Sequence, residues 1–387
     1  MDLAGAIRHE AARLGFSACG FAAAAPLARG AFLEGWLDAG LGGEMRYLAR
    51  RPGRRLTVAG ILPDARSVIT LAYPYAPPPP RPPGDLAGAL RGQIAAYAWG
   101  EDYHAVIGRG LAHLAAFIGA RVPGSATRPY VDTGAVLERE WAVRGGLGWF
   151  GKNTMLLSSR AGSWFFLAEL VTTAVLEPDE PTGAHCGRCT SCLDACPTGA
   201  LRDGLVMDAR RCVSYLTIEH RGAIPPDLRP GLGTWVFGCD VCQSVCPWNG
   251  SERPAPPAEG GGRPWLARPA RGPHPPADWL FPFLPDLVRL DEDGFRARYG
   301  RTAVARTRRR GLVRNAALAL GNSGNPDAVP ALAVALGDAE PLVRAHAAWG
   351  LGAVGGAAAR RVLDAHPRPD PDPAVAGEVY AARERLS

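Results

Sequence analysis

Lysine is almost missing from this 387-residue chain. Of its 43 Lys and Arg side chains, only Lys152 is Lys. The accompanying richness in Ala, Arg, Gly and Pro reads as a coding bias, so arginine counts alone say little about function. A single Lys kept against that bias marks a position that wants a compact ammonium rather than a guanidinium fork. Long apolar runs are also missing. The stretch at Trp164–Leu170 is far too short to span a bilayer. The start, Met1-Asp2-Leu3-Ala4, has neither a basic region nor a long apolar core, so no secretion signal is expected. These absences lead us to expect a soluble, cytoplasmic protein without a membrane partner.

The chain does contain nine cysteines. In a reducing compartment that many thiols argue for metal rather than disulfides. Cys186, Cys189, Cys192 and Cys196, the last followed by Pro197, have the C-x2-C-x2-C-x3-C-P spacing of bacterial ferredoxins. Three thiolates two residues apart can wrap one face of a cubane, and the fourth turns away to another cluster. Zinc competes for isolated C-x2-C pairs, but zinc sites usually stop at four ligands. A second set, Cys239, Cys242 and Cys246-Pro247, is one cysteine short. Ferredoxin crossover assigns Cys186, Cys189, Cys192 and Cys246 to one [4Fe–4S] cluster. It assigns Cys196, Cys239 and Cys242 to the other, and Cys212 supplies the missing ligand. Cys19 remains over and is expected to be a small buried hydrophobe.

Around this centre we expect a mixed α/β region over residues 1–178. It should hold helices at Ala4–Leu14, Phe32–Ala49 (interrupted by glycines) and Tyr103–Ala120. Strands are expected at Ser67–Tyr73, Arg128–Asp132 and Ser163–Val175. Pro77–Pro83 reads as a surface loop. Residues 179–251 form the cysteine region, 252–279 a Pro/Gly-rich linker, and 280–387 a helical domain. In that domain Leu312–Ala317 echoes Leu342–Ala347 at a period of about 30 residues, as in HEAT-like helix pairs. The fold class is therefore α+β or α/β, followed by a ferredoxin-like two-cluster domain and helical repeats.

Two clusters side by side need something to reduce. Three N-terminal segments read as a site. Asp132 follows a strand in Val131–Glu140, although an Asp there can equally be a helix cap. Gly145–Asn153 has glycines that allow backbone to approach a ligand closely. Gly162–Leu170 can wall a planar cofactor or fill a core. Arg301, Arg306, Arg308, Arg309, Arg310 and Arg314 lie within residues 300–314 with no acid among them, which suits phosphate or merely a solvated face. The formal net charge of +6 permits a polyanionic partner.

Taken together, the segments resemble the epoxyqueuosine reductase family. The resemblance rests on Trp99–His104, Val131–Arg139, Gly146–Asn153, Gly162–Glu169, Cys186–Ala200, Arg211–Gly222 and Gly238–Asn249. It covers residues 1–250 closely, and the helical tail matches the longer members. It implies a cobalamin in the N-terminal domain, a tRNA carrying epoxyqueuosine at the wobble position, and reduction of that epoxide to queuosine. Asp132 matches the family's general acid, and burial beside a corrin should raise its pKa. Cobalamin contacts are implied near Arg55, Asp132, Asn153, Leu156, Ser158, Leu167, Ser214 and Asp240. Arg139, Arg221, Arg308 and Arg310 are implied tRNA contacts. The resemblance also implies an external electron donor of flavodoxin or ferredoxin type, and a monomer. His104 is expected to be a structural histidine rather than a cobalt ligand. Three other readings compete. The chain could be a reductive-dehalogenase-like cobalamin enzyme. It could be a two-cluster electron carrier on a helical scaffold. It could also be a HEAT-type binding module with structural clusters.

Overall fold

A computed structural model describes residues 2–50, 53–75, 86–202, 205–250, 277–367 and 369–387. The expected Pro77–Pro83 loop and nearly all of the 252–279 linker lie outside the described residues.

Four antiparallel strands form the first unit: β1 (Ala18–Ala23), β2 (Ser67–Pro74), β3 (Thr127–Tyr130) and β4 (Phe165–Thr172). Their order in the sheet is β1-β2-β4-β3. The mixed α/β expectation thus resolves to α+β, because every pairing in this sheet is antiparallel. Strand side chains alternate between two covered faces. Cys19, Phe21, Ile69, Leu71, Ala168 and Leu170 pack beneath α1 (Leu3–Arg13) and α2 (Tyr103–Arg121). The second helix offers Ile107, Leu111, Leu114 and Ile118, a buried stripe at helical spacing. Its first turn is capped by Asp102, whose carboxylate accepts the His104 N–H at 3.0 Å. On the opposite face α3 (Glu138–Arg144) sets Trp141 against Ala22, Val68 and Val171. The helix end comes so close that a Cβ on Gly20 would lie 2.0 Å from the Gly145 carbonyl.

The expected Phe32–Ala49 helix divides into Gly30–Asp38 and Arg46–Ala49. Gly40 and Gly43 take positive φ between them, a conformation that ends a right-handed helix. Short helices punctuate the cysteine loops, Ser191–Asp194 after Cys189 and Val241–Ser244 after Cys239, with α4 (Val213–Ile218) between them. The strand Trp235–Phe237 pairs in parallel with Gln93–Ile94, stitching the cysteine region to the first unit.

The C-terminal repeat is helical as expected. It comprises α5 (Arg308–Asn322), α6 (Val329–Leu336), α7 (Pro341–Val354), α8 (Gly356–Ala365) and α9 (Pro373–Arg385). The two echoing sequences occupy the equivalent helices α5 and α7. Every residue of α5 from Gly311 to Gly321 is buried, so it is not an amphipathic surface helix. It lies between the repeats and the cysteine region. Arg314 donates to the carbonyls of Leu216, His220 and Gly222 at 2.7–2.9 Å. Asn315 donates to Thr217 and Val236. These bonds satisfy loop carbonyls that would otherwise be buried unpaired.

Candidate active site at the cysteine loops and the Asp132 turn

Cys186, Cys189, Cys192 and Cys246 line one cavity, walled also by Leu157, His185 and Trp248. Burial pushes the Cys246 thiol up to about 11, with the neighbouring Cys186, Cys192 and Cys189 thiols adding to the shift. In the other set, burial raises the Cys239, Cys242 and Cys212 thiols. Cys242 also feels Cys212 and Cys196. Metal ligation removes such protons, since the thiolate is the ligand. Among the described residues no three ligating groups converge on a point that a single ion could fill. The first set instead surrounds a space. Cys19 is fully buried in the sheet core, as expected.

The one lysine belongs to this region. Lys152 Nζ donates to the carbonyls of Gly187 and Cys189, both at 2.9 Å. A tetrahedral ammonium can divide its donors between two converging carbonyls, whereas a planar guanidinium imposes a fixed fork. The glycines before it also answer to packing within the protein. A Cβ on Gly148 would lie 2.0 Å from the Leu157 carbonyl, and one on Gly151 would strike Leu157 and Asn153. They are needed because the strand Trp149–Phe150 lies tightly against Leu156–Leu157.

Asp132 stands just past β3, not within it, at φ +55°. A non-glycine residue held there costs about 1–2 kcal/mol, so its surroundings must hold it. Arg55 Nη1 donates to Gly134 O at 3.2 Å, and Glu138 Oε1 accepts the Asp132 N–H at 2.5 Å. The carboxylate, 60% exposed, opens into the site. Tyr103 donates its hydroxyl to Asp132 Oδ2 at 2.7 Å, and His104 Nε2 lies 3.3 Å from the same oxygen. His104 Nδ1 meets Asp102 Oδ1 at 2.7 Å. His104 therefore bridges two carboxylates. The Asp132 carboxylate, 3.3 Å from Nε2 though outside good hydrogen-bond geometry, raises the imidazole pKa, and the imidazole lowers that of Asp132. The raised pKa expected at Asp132 belongs to the corrin-bound site; among the protein's own groups the imidazole outweighs desolvation. His104, read from the sequence as structural, stands beside Asp132. The signal was the i, i+2 pair Asp102 and His104 at a helix start.

A wall of rings joins the acid to the cysteine loops. Tyr103 stacks on Phe166 at 4.3 Å between centroids, and Phe166 meets Tyr75 at 4.8 Å. The Tyr75 hydroxyl lies 3.5 Å from Gln243, next to Cys242. Several expected cofactor contacts fall around this wall. Asn153 Nδ2 donates to Cys242 O at 3.4 Å, and Leu167 packs near Ala72 and Phe165. Ser214 sits half-buried in α4, and Leu156 is buried. The Ser158 hydroxyl is committed to the Arg160 and Ala161 amides. Asp240 is buried and accepts the Ala96 N–H at 2.7 Å. Both therefore have side chains occupied within the protein. Among the described residues Arg55 Nε is buried without a hydrogen-bond partner, beside the Asp132 turn. An amide carbonyl such as those on a corrin's rim could fill that position, and the adjacent ring wall suits a broad planar group. The residues present thus fit a cobalamin.

The arginine run divides. Arg306 and Arg308 are exposed, and Arg221 lies within electrostatic reach of Arg306, Arg308 and Arg310. Arg306 also pairs with Glu219 at 2.9 Å. Arg309 and Arg314 are not available to phosphate, contrary to their place in the sequence-level patch. Arg309 is paired with Asp338, and Arg314 is fully buried. Arg139 donates to Thr154 O at 2.5 Å, near Asp132.

A double set of cubane-spaced cysteines joined by a ring wall to a hydrogen-bonded acid defines an iron–sulfur oxidoreductase. Comparisons with known proteins identify its family. The description "4Fe-4S double cluster binding domain" matches residues 185–249. "Epoxyqueuosine reductase QueG, DUF1730" matches residues 55–133, and "HEAT repeats" matches 303–383. An epoxyqueuosine reductase of Pseudomonas aeruginosa is 40% identical over 357 residues, 90% of this chain and 94% of that one. That of Cellulophaga algicola is 39% identical over 310 residues, 80% of this chain and 95% of that one. A crystal structure of epoxyqueuosine reductase with an epoxyqueuosine-modified tRNA-Tyr stem loop superposes with a TM-score of 0.87 at 29% identity. It covers 99% of this chain and 98% of that one. The Bacillus subtilis enzyme, with its catalytic aspartate loop swung out of the active site, matches with the same score, identity and coverage. The chain belongs to the epoxyqueuosine reductase family and carries two [4Fe–4S] clusters.

Proposed function

We propose that this chain reduces epoxyqueuosine at the tRNA wobble position to queuosine, the final step of queuosine biosynthesis, with Asp132 and His104 delivering protons. The supporting observation is the shared wall. Asp132 and the Cys242 loop are joined by Tyr103, Phe166, Tyr75 and Gln243. The overall change consumes two electrons and two protons per epoxide and releases water.

Cys186, Cys189, Cys192 and Cys246 hold one cluster, and Cys196, Cys212, Cys239 and Cys242 hold the other. Bound cobalamin supplies a strongly reducing cobalt centre that accepts electrons one at a time. Residues 1–178 bind it, with Arg55, Asn153 and Leu167 as side-chain contacts. Leu156, Ser158, Ser214 and Asp240 contribute through backbone and shape. The protein's own task is proton delivery at the epoxide oxygen. His104 carries the proton at rest, because two carboxylates favour imidazolium. It passes that proton to the Asp132 carboxylate, which relays it to the leaving oxygen. Tyr103 holds the carboxylate in line.

Arg139, Arg221, Arg308 and Arg310 grip phosphates, positioning an anticodon loop whose wobble base is splayed into the site. Electrons arrive from a flavodoxin- or ferredoxin-type donor. The enzyme works as a cytoplasmic monomer, and among the described residues no helix is long and apolar enough to cross a membrane. Nucleoside analysis of tRNA from a strain lacking this protein tests the reading. Epoxyqueuosine should accumulate, whereas normal queuosine would refute it.

A further inference from the structure

Two acids behind the Asp132 turn have no part in the chemistry derived above. Glu138 opens α3 and accepts the Asp132 N–H. Glu169 lies on β4, opposite Thr70 and Tyr130 in the neighbouring strands, and is completely buried. Its odd-numbered register, shared with Val171, turns it toward the face that α3 covers. Neither Glu169 oxygen meets a hydrogen-bond partner with good geometry among the described residues, although the Glu138 carboxylate lies beside it. An ionised carboxylate cannot persist there unpaired, so Glu169 keeps its proton. Burial and the Asp132 charge push Glu138 up to about 7, against the Asp132 amide, Arg139 and His104, which pull it down.

We propose that Glu138 is the latch of the catalytic turn, a positioning residue whose carboxyl oxygen fixes Asp132 in its left-handed conformation, with Glu169 backing it from the sheet. The inference rests on the reading of Asp132 as the acid. Its physical basis is separate. A left-handed Asp needs an external restraint, and among the described residues Glu138 is the side chain that accepts its amide. With the latch made, the carboxyl faces Tyr103 and His104. Without it, the turn relaxes to an ordinary backbone conformation and the carboxyl leaves their reach.

The test uses the reconstituted holoenzyme with both clusters intact by absorbance. Glu138→Ala, Glu138→Gln and Asp132→Asn are compared for kcat, KM and hydrogen exchange of the Asp132 amide. Losing a charge-assisted hydrogen bond should speed exchange and lower kcat by about 10- to 100-fold in Glu138→Ala. KM for the tRNA should stay within about twofold, because the substrate's own contacts are untouched. Glu138→Gln keeps an acceptor oxygen and should recover to within about threefold of wild type. Wild-type exchange in Glu138→Ala, or a Gln variant as impaired as Ala, overturns the latch. If Asp132→Asn turns over normally, the acid reading has failed instead, and the exchange rates alone then decide the latch.

Discussion

At the scale of single residues, the proposed chemistry depends on the ion pair of His104 and Asp132. The imidazole pKa is raised and the carboxylate pKa lowered, each chiefly by the other group. The proton on His104 is therefore fully present below its ordinary value of about 6.5 and is lost as pH rises through the raised folded value. We predict that kcat falls on that alkaline side. His104→Gln should lower kcat and abolish the limb, as a pH–rate profile would reveal. Asp132→Asn should lose about 10²–10⁴-fold in turnover while keeping its iron, measured by iron assay beside the kinetics. The sequence pointed to Asp132 through its family motif. It did not disclose the raised imidazole or the depressed carboxylate. Those depend on Asp102 and His104 at the start of α2 meeting a turn some 30 residues later, and no local pattern encodes that meeting.

At the scale of elements, the cysteine loops were the most legible part of the chain. Their spacing is dictated by the size of a cubane, so local sequence carries the geometry directly. Cys212→Ser and Cys192→Ser should each reduce anaerobically reconstituted iron from about eight to about four per chain. Iron that stays at eight in either variant would exclude that cysteine as a ligand. The glycine-rich run was legible as a tight place but not for its purpose. Gly148 and Gly151 admit Leu157 of the paired strand, a contact that follows from tertiary pairing. The arginine run misled in a similar way. Local charge density cannot tell exposed Arg308 from Arg314, which spends its guanidinium on the carbonyls of Leu216, His220 and Gly222.

For the whole molecule, the repeats are part of one body with the cysteine region. His346 on α7 accepts the Ile224 N–H at its Nε2 and meets Leu342 O through Nδ1, which fixes the neutral tautomer. Burial, with Arg314 and Arg229 nearby, holds this imidazole well below its ordinary range. The stability it contributes is present above about pH 6.5 and falls as pH drops toward the depressed folded value, by about 1.4 kcal/mol per pH unit. Urea midpoints at pH 7.5 and 5.5 should therefore diverge in wild type and converge in His346→Gln. Helical repeats were legible from the echo of α5 in α7. Their fusion to the cysteine loops was not, because α5 is buried on every side and so lacks the amphipathic stripe by which a docking face is read.

The central claim is that electrons gathered at the cysteine loops reach the Asp132 site through a bound corrin. The most direct test is mass-spectrometric nucleoside analysis of epoxyqueuosine-tRNA after anaerobic incubation with the iron-loaded protein and a reductant, with and without cobalamin. We expect queuosine to form only when cobalamin is present. Equal queuosine without cobalamin, or none with it, would contradict the account.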